Sequence, residues 1–217
     1  MPPPFVLASA SPRRRQLLEN AGYQFDVVTA ATEEIFTAAL TIRELTICNA
    51  TRKALAIARA IPDAVILGAD TLVGLDGIVI GKPADLVAAA KILRRLSGRV
   101  HEVCTAVFVC DFARGRTESL HEISRVHFRT LTDQAIAGYF EKINPLDKAG
   151  AYAAQGHGFD IIERIDGSYS NVIGLPMEKT ARALRAFGII GSPPSPAPRL
   201  SAHDGVRVST RDTKTRR

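Results

Sequence analysis

Short apolar runs alternate with capped helical segments along this chain, and that alternation predicts an α/β fold. Two further features support a sheet-centred architecture. The run Ala64-Val65-Ile66-Leu67-Gly68-Ala69 is continuously apolar, as central strands are, and Asp76-Gly77 between Thr71-Leu72-Val73 and Ile78-Val79-Ile80 is a strong hairpin turn.

In chain order, Phe5-Val6-Leu7-Ala8 reads as a short buried strand. Ser11-Pro12 then offers a capping hydroxyl and a first-turn proline for a helix running to Ala21, with Gly22 as its stop. Phe25 to Ala30 is expected to be a second strand, and Thr41-Ile42-Arg43-Glu44 matches a capping box for an alanine-rich helix ending near Ile61-Pro62. The apolar run from Ala64 is expected to be closed by Asp70. Asp85 to Ser97 has helical spacing of Leu86, Ala89, Ala90, Leu93 and Leu96, and Gly98 follows as a stop. Strands are expected at Val100 to Cys110, Ile123 to Phe128 and Gly158 to Ile165, with helices from Thr132 to about Ile143 and from Leu175 to Phe187.

At 217 residues and 46% hydrophobic, the chain can bury a sizeable core, and it is expected to form one domain over residues 1–190. Residues 191–217 are rich in Ser, Pro and Arg and are expected to be disordered. The formal charge of +6 is concentrated there: six basic and two acidic residues give the tail +4, leaving +2 for the rest. So little excess charge disfavours a broad nucleic-acid-binding face and favours a small anionic ligand. Cys48, Cys104 and Cys110 lack CxxC or Cys/His spacing, which argues against a disulfide framework or structural zinc and for a reducing compartment. Neither a signal-peptide apolar core nor a membrane-length apolar stretch is present, so a cytoplasmic location is expected.

Three loops combine charge with small residues after expected strands, where open α/β sheets place ligand crevices. In Ser9-Ala10-Ser11-Pro12-Arg13-Arg14, a helix start and Arg13 could hold phosphate, or the arginines could simply be solvated. In Gly68-Ala69-Asp70-Thr71, a carboxylate ending an apolar strand reads as a metal ligand, a general base or a turn cap. Lys82, in Gly81-Lys82-Pro83, could face the same crevice or only solvent, and Glu33 and Lys53 have the same two readings. In the third loop, residues 147–156, Gln155 could present an amide complementary to the N3–H and carbonyl groups of uracil or thymine. Other schemes are poorly supplied, since the five histidines show no HxxxH spacing and neither GxSxG nor a Walker-type loop occurs.

Taken together, Leu7-Ala8-Ser9-Ala10-Ser11-Pro12-Arg13-Arg14, Gly68-Ala69-Asp70-Thr71, Gly81-Lys82-Pro83, Leu96-Ser97-Gly98 and Asp147-Lys148-Ala149-Gly150-Ala151-Tyr152 resemble the Maf family of nucleotide pyrophosphatases. The resemblance runs from about Phe5 to Phe187 and includes Gly174-Leu175-Pro176. It implies a mixed, twisted sheet with flanking helices and two lobes around a cleft, similar to inosine triphosphate pyrophosphatases. It also implies a nucleoside triphosphate substrate, dependence on Mg²⁺ or Mn²⁺, and often a homodimer. By resemblance, Asp70 is the proton acceptor and a metal ligand, and Glu33 helps hold the metal. Ser11 belongs to the phosphate loop, while Arg13, Lys53 and Lys82 contact the triphosphate. Arg13, Thr71 and Gln155 match the dTTP/UTP subgroup, from which the 7-methyl-GTP subgroup differs at these positions. Ala153-Ala154 and Ser170-Asn171 depart from the residues common in pyrimidine members. The alternatives are broader or 7-methyl-GTP specificity and, in another class, a binding protein in septum control.

Overall fold

A computed structural model describes residues 3–191 and the strand Arg207–Ser209. The elements follow in the order β1 (Phe5–Ala8), α1 (Pro12–Asn20), β2 (Asp26–Val27), α2 (Ile42–Ala58), β3 (Val65–Leu75), β4 (Ile78–Ile80), α3 (Leu86–Leu96), β5 (Val100–Asp111), β6 (Arg116–Phe128), α4 (Asp133–Phe140), β7 (Ile162–Asp166), α5 (Tyr169–Ile173), α6 (Met177–Ala186) and β8 (Arg207–Ser209). They build one mixed sheet in the order β2-β1-β3-β5-β6-β7-β8, with β4 folded back on the end of β3. β1 is parallel to β2 and β3, whereas β3, β5, β6 and β7 are antiparallel in succession.

Local chemistry explains most boundaries. In α2 the Thr41 hydroxyl accepts from the Glu44 N–H at 3.3 Å and the Glu44 carboxylate accepts from the Thr41 N–H at 2.8 Å, the reciprocal pair of a capping box. Asp85 and Thr132 cap α3 and α4. The β3–β4 turn has Asp76 and Gly77 at φ of 52° and 75°, the left-handed pair that matches strand twist in a two-residue hairpin. Among the described residues, no helix is long and apolar enough to cross a membrane.

Five boundaries differ from the sequence reading. β2 is only two residues, although Val28 still donates to the Leu7 carbonyl. β6 starts at Arg116 rather than Ile123, because its polar first half pairs along β5 through backbone bonds that hydropathy does not register. His157–Asp160 forms a 3₁₀ turn before β7, α4 ends at Phe140, and Tyr169–Ile173 forms a separate short helix before Pro176 restarts the chain as α6. Ser11 occupies the N-cap position of α1, but its hydroxyl makes no capping bond. The expectation for the tail concerns residues outside the described ones, apart from β8, which lies parallel to β7.

The largest correction concerns Asp70, which does not close its strand but sits in the middle of the eleven-residue β3. β3 and β5 run through two apolar cores. In the first, Leu7, Leu67 and Val109 pack with Leu18 of α1 and Leu184 of α6, and Ile66 and Val6 pack on the opposite face with Ala54 and Ile57 of α2. In the second, Val73, Val103 and Val126 pack with Leu93 and Leu96 of α3 and Tyr139 of α4. Asp70 therefore lies where the two lobes meet.

Candidate active site

β1 stops at Ala8, opposite Gly68, while β4 pairs with β3 only at Val73 to Leu75. Among the described residues, this leaves positions 69–72 of β3 with no strand neighbour on that edge. A cleft of about 400 Å³ opens there. One lobe contributes Ser11, Arg13, Arg14, Glu34, Lys53, Asp70 and Thr71, and the other contributes Lys82, Asp147, Lys148 and Tyr152. Five cationic residues thus face three carboxylates, a balance suited to a polyanion.

Strand alternation sends Asp70 and Thr71 to opposite faces of the sheet. Asp70, only 3% exposed, faces α2. Its Oδ1 accepts from Lys53 Nζ at 2.7 Å and its Oδ2 accepts from Asn49 Nδ2 at 3.3 Å. α2 can come so close because residue 68 is glycine: a Cβ there would stand 2.4 Å from the Ala50 carbonyl oxygen. Lys53 Nζ also bonds Glu34 Oε1 at 2.7 Å, and Lys82 reaches the same oxygen at 3.4 Å. Partial burial favours a higher pKa for Glu34, but hydrogen bonding and charge from Lys53, with a smaller contribution from Lys82, hold it below the usual carboxylate range.

On the other face Thr71 belongs to a chain of neutral acceptors around a buried cation. Arg14, 8% exposed, donates from Nε to the Gly174 carbonyl at 2.9 Å, and its terminal nitrogens donate to Ser9 Oγ at 3.0 Å and to Thr71 Oγ1 at 2.9 Å. The hydroxyls of Thr71 and Thr105 are 2.9 Å apart, and Thr105 donates to the Asn171 carbonyl. Burial lowers the pKa of Arg14, partly offset by the charge of Asp70. Among the described residues, no carboxylate comes within ion-pair distance of this guanidinium. Across the cleft, Arg13 reaches Asp147 at 3.3 Å, joining the lobes.

The structure thus brings Ser11, Arg13, Lys53, Asp70, Thr71 and Lys82 to one cleft. Glu33 is exposed and does not line it; Glu34, one residue later, does. The register of the loop decides between these neighbours, and nothing in two consecutive glutamates could reveal it. Gln155 is half-buried and also outside the lining, which at that end consists of Tyr152, Ala153 and Ala154. Asn49 and Arg14 also belong to the site, and sequence patterns alone assign neither a role. The spacing of Asn49 four residues before Lys53 on one helix face was a usable signal. The buried thiols offer no competing nucleophile, since burial pushes Cys110 up to about 11 and also raises Cys104.

Asp70 and Glu34 converge on one ammonium, so their hard oxygens also suit a divalent cation completed by water and ligand phosphate. Among the described residues there is no group of three or more His, Cys, Asp or Glu that could hold a metal by itself.

Comparison with known proteins identifies the family. The family model described as Maf-like protein matches residues 4–187. A dTTP/UTP pyrophosphatase of Akkermansia muciniphila is 45% identical over 188 residues, covering 87% of this chain and 98% of that protein. Proteins of the same name from Pelotomaculum thermopropionicum and Aquifex aeolicus are 45% and 43% identical, covering 84% and 85% of this chain and 96% of each relative. With the family model matching residues 4–187 and relatives of 43–45% identity matched over nearly their whole length, the chain belongs to the Maf-like protein family.

Proposed function

We propose that this protein hydrolyses dTTP and UTP to the nucleoside monophosphate and pyrophosphate, the activity named for its relatives. The observation that carries the reading is a buried carboxylate, Asp70, at the junction of two lobes in a cleft where cations outnumber anions. Asp70 is the group to orient a water against the α-phosphorus and accept its proton. As the new P–O bond forms, the bond from the α-phosphorus to the bridging oxygen breaks, and the electron pair leaves with pyrophosphate. Arg13, Lys53 and Lys82 are placed to neutralise the triphosphate and the charge developing on the leaving oxygens. Arg14 adds a buried cation already aimed by three neutral acceptors, so it needs little reorganisation to meet an anion. The start of α1, whose N-cap hydroxyl makes no capping bond, faces the same cleft.

Mg²⁺ or Mn²⁺ would be held by Asp70 and Glu34 and would supply Lewis-acid neutralisation of phosphate oxygens. Glu34 replaces Glu33 in this role because it is the one that reaches Lys53 and the cleft. Thr71 and the Tyr152–Ala154 segment are the base-proximal candidates within the lining. Three free cysteines support a reducing, cytoplasmic setting, and a homodimer is part of the same reading.

The test is pyrophosphate release from dTTP, UTP, CTP, the purine triphosphates and 7-methyl-GTP, with Mg²⁺ or Mn²⁺, for the parent protein and Asp70→Asn. Preferential turnover of dTTP and UTP, lost in the variant, is expected. Even turnover across all bases would remove the pyrimidine assignment but leave the chemistry, while inactivity on every nucleotide would sink the enzymatic reading.

A further inference from the structure

Glu34 lies in the irregular loop between β2 and α2, so something other than secondary structure must fix its position beside Lys53. The contacts point to Asn49. This side chain is 2% exposed, in the interior of α2, where asparagine is a poor helix former. Its Oδ1 accepts from the Ile35 N–H at 2.7 Å, and its Nδ2 donates to the Ile35 carbonyl at 3.1 Å and to Asp70 Oδ2 at 3.3 Å. The Ile35 N–H can only donate, so the amide orientation is settled by chemistry. One side chain therefore pairs both backbone groups of the residue next to Glu34, as a neighbouring strand would, and uses its remaining N–H on Asp70.

We infer that Asn49 is a positioning residue for the proposed pyrophosphatase reaction, clamping the loop so that Glu34 and Asp70 keep a fixed separation. The inference rests on that functional reading for its kinetic consequence, but the clamp itself can be read without nucleotide. A purely structural tie would stabilise the loop without coupling to Glu34.

The experiment compares Asn49→Leu and Asn49→Asp with the parent, each alone and with Glu34→Gln. Amide hydrogen exchange at Ile35 and pyrophosphate release from dTTP are followed. Asn49→Leu removes all three bonds while keeping the branched shape, so Ile35 should exchange at least about tenfold faster while Ile66 and Leu67 in β3 keep their protection. Its kcat should fall about tenfold with KM changed less than about threefold, but in the Glu34→Gln background the same substitution should cost less than about twofold. Asn49→Asp retains an acceptor for the Ile35 N–H and sets a second carboxylate against Asp70. Ile35 protection should therefore survive while kcat falls at least as far. Unchanged Ile35 exchange in Asn49→Leu would overturn the clamp, whatever the turnover. A kcat loss that multiplies in full with that of Glu34→Gln would overturn the coupling. Loss of parent activity would count against the pyrophosphatase reading alone, since Ile35 exchange does not depend on it.

Discussion

The two faces of β3 solve the burial of charge in opposite ways. Towards α2, a buried anion, Asp70, meets a cation at 2.7 Å and an amide, and a second carboxylate shares that cation. Towards α1 and α5, a buried cation, Arg14, meets only a carbonyl and two hydroxyls. Hydrogen bonds to neutral partners satisfy the donors of a guanidinium without neutralising its charge. The α2 face thus pairs its buried charge with an opposite charge, whereas the α1 face holds its cation with neutral groups alone. In the proposed reaction the first face carries the proton acceptor, and the second adds a cation for the triphosphate.

The largest effect should come from the chemical face. Asp70→Asn keeps the shape and the Lys53 contact but removes the proton acceptor, so kcat should fall about 10³-fold with little change in KM. Retained turnover at saturating metal would move the base elsewhere. Arg14→Met should lower kcat/KM by about 10- to 100-fold, chiefly through KM, because a cation with only neutral groups in contact is lost. Equal losses in kcat and KM effects at the two positions would erase the contrast between the faces.

Stability should follow the same order. Lys53→Met leaves Asp70 buried without its cation and should cost about 3 kcal/mol, whereas Arg14→Met should cost less than about 1.5 kcal/mol, both read from urea unfolding. Gly68→Ala pushes α2 off β3, since the added Cβ would meet the Ala50 oxygen and the Ala54 nitrogen. About 2 kcal/mol of destabilisation is expected, with reduced turnover as Asn49 and Lys53 move away from Asp70.

The smallest effect at neutral pH concerns β5, the strand beside β3. His101, buried and 2.8 Å from the Tyr152 hydroxyl, is pushed by burial from 6.5 down to about 3. Below its ordinary pKa the unfolded chain takes up a proton that the folded chain refuses. Its contribution is therefore intact above pH 6.5 and declines as pH falls towards 3. His101→Phe should flatten the unfolding free energy against pH over that interval, by about 1–2 kcal/mol near pH 5, read from urea unfolding. An unchanged slope would assign acid sensitivity to other groups.

Much of this was readable from local patterns. Capping residues placed α2 and α4, helical spacing placed α3 and the Asp76-Gly77 turn placed the first hairpin, because these signals are local. The first half of β6 was not legible, since it is polar and held by pairing with β5. The site divides in the same way. Motifs marked Asp70, Lys82 and Arg13, but the choice of Glu34 over Glu33 and the clamp from Asn49 depend on how a loop meets a helix across the sheet edge. Arg14 could not be separated from Arg13 by composition. Only the fold turns one inward to Gly174 and the other across the cleft to Asp147.

The bond from Arg14 to the Gly174 carbonyl spans 160 positions of sequence. During synthesis, a chain released or stalled before that carbonyl emerges carries the proposed catalytic carboxylate but lacks the acceptor that aims the guanidinium. Such a fragment should hold nucleotide less tightly than the finished chain, so tight binding would arrive only when synthesis is nearly complete.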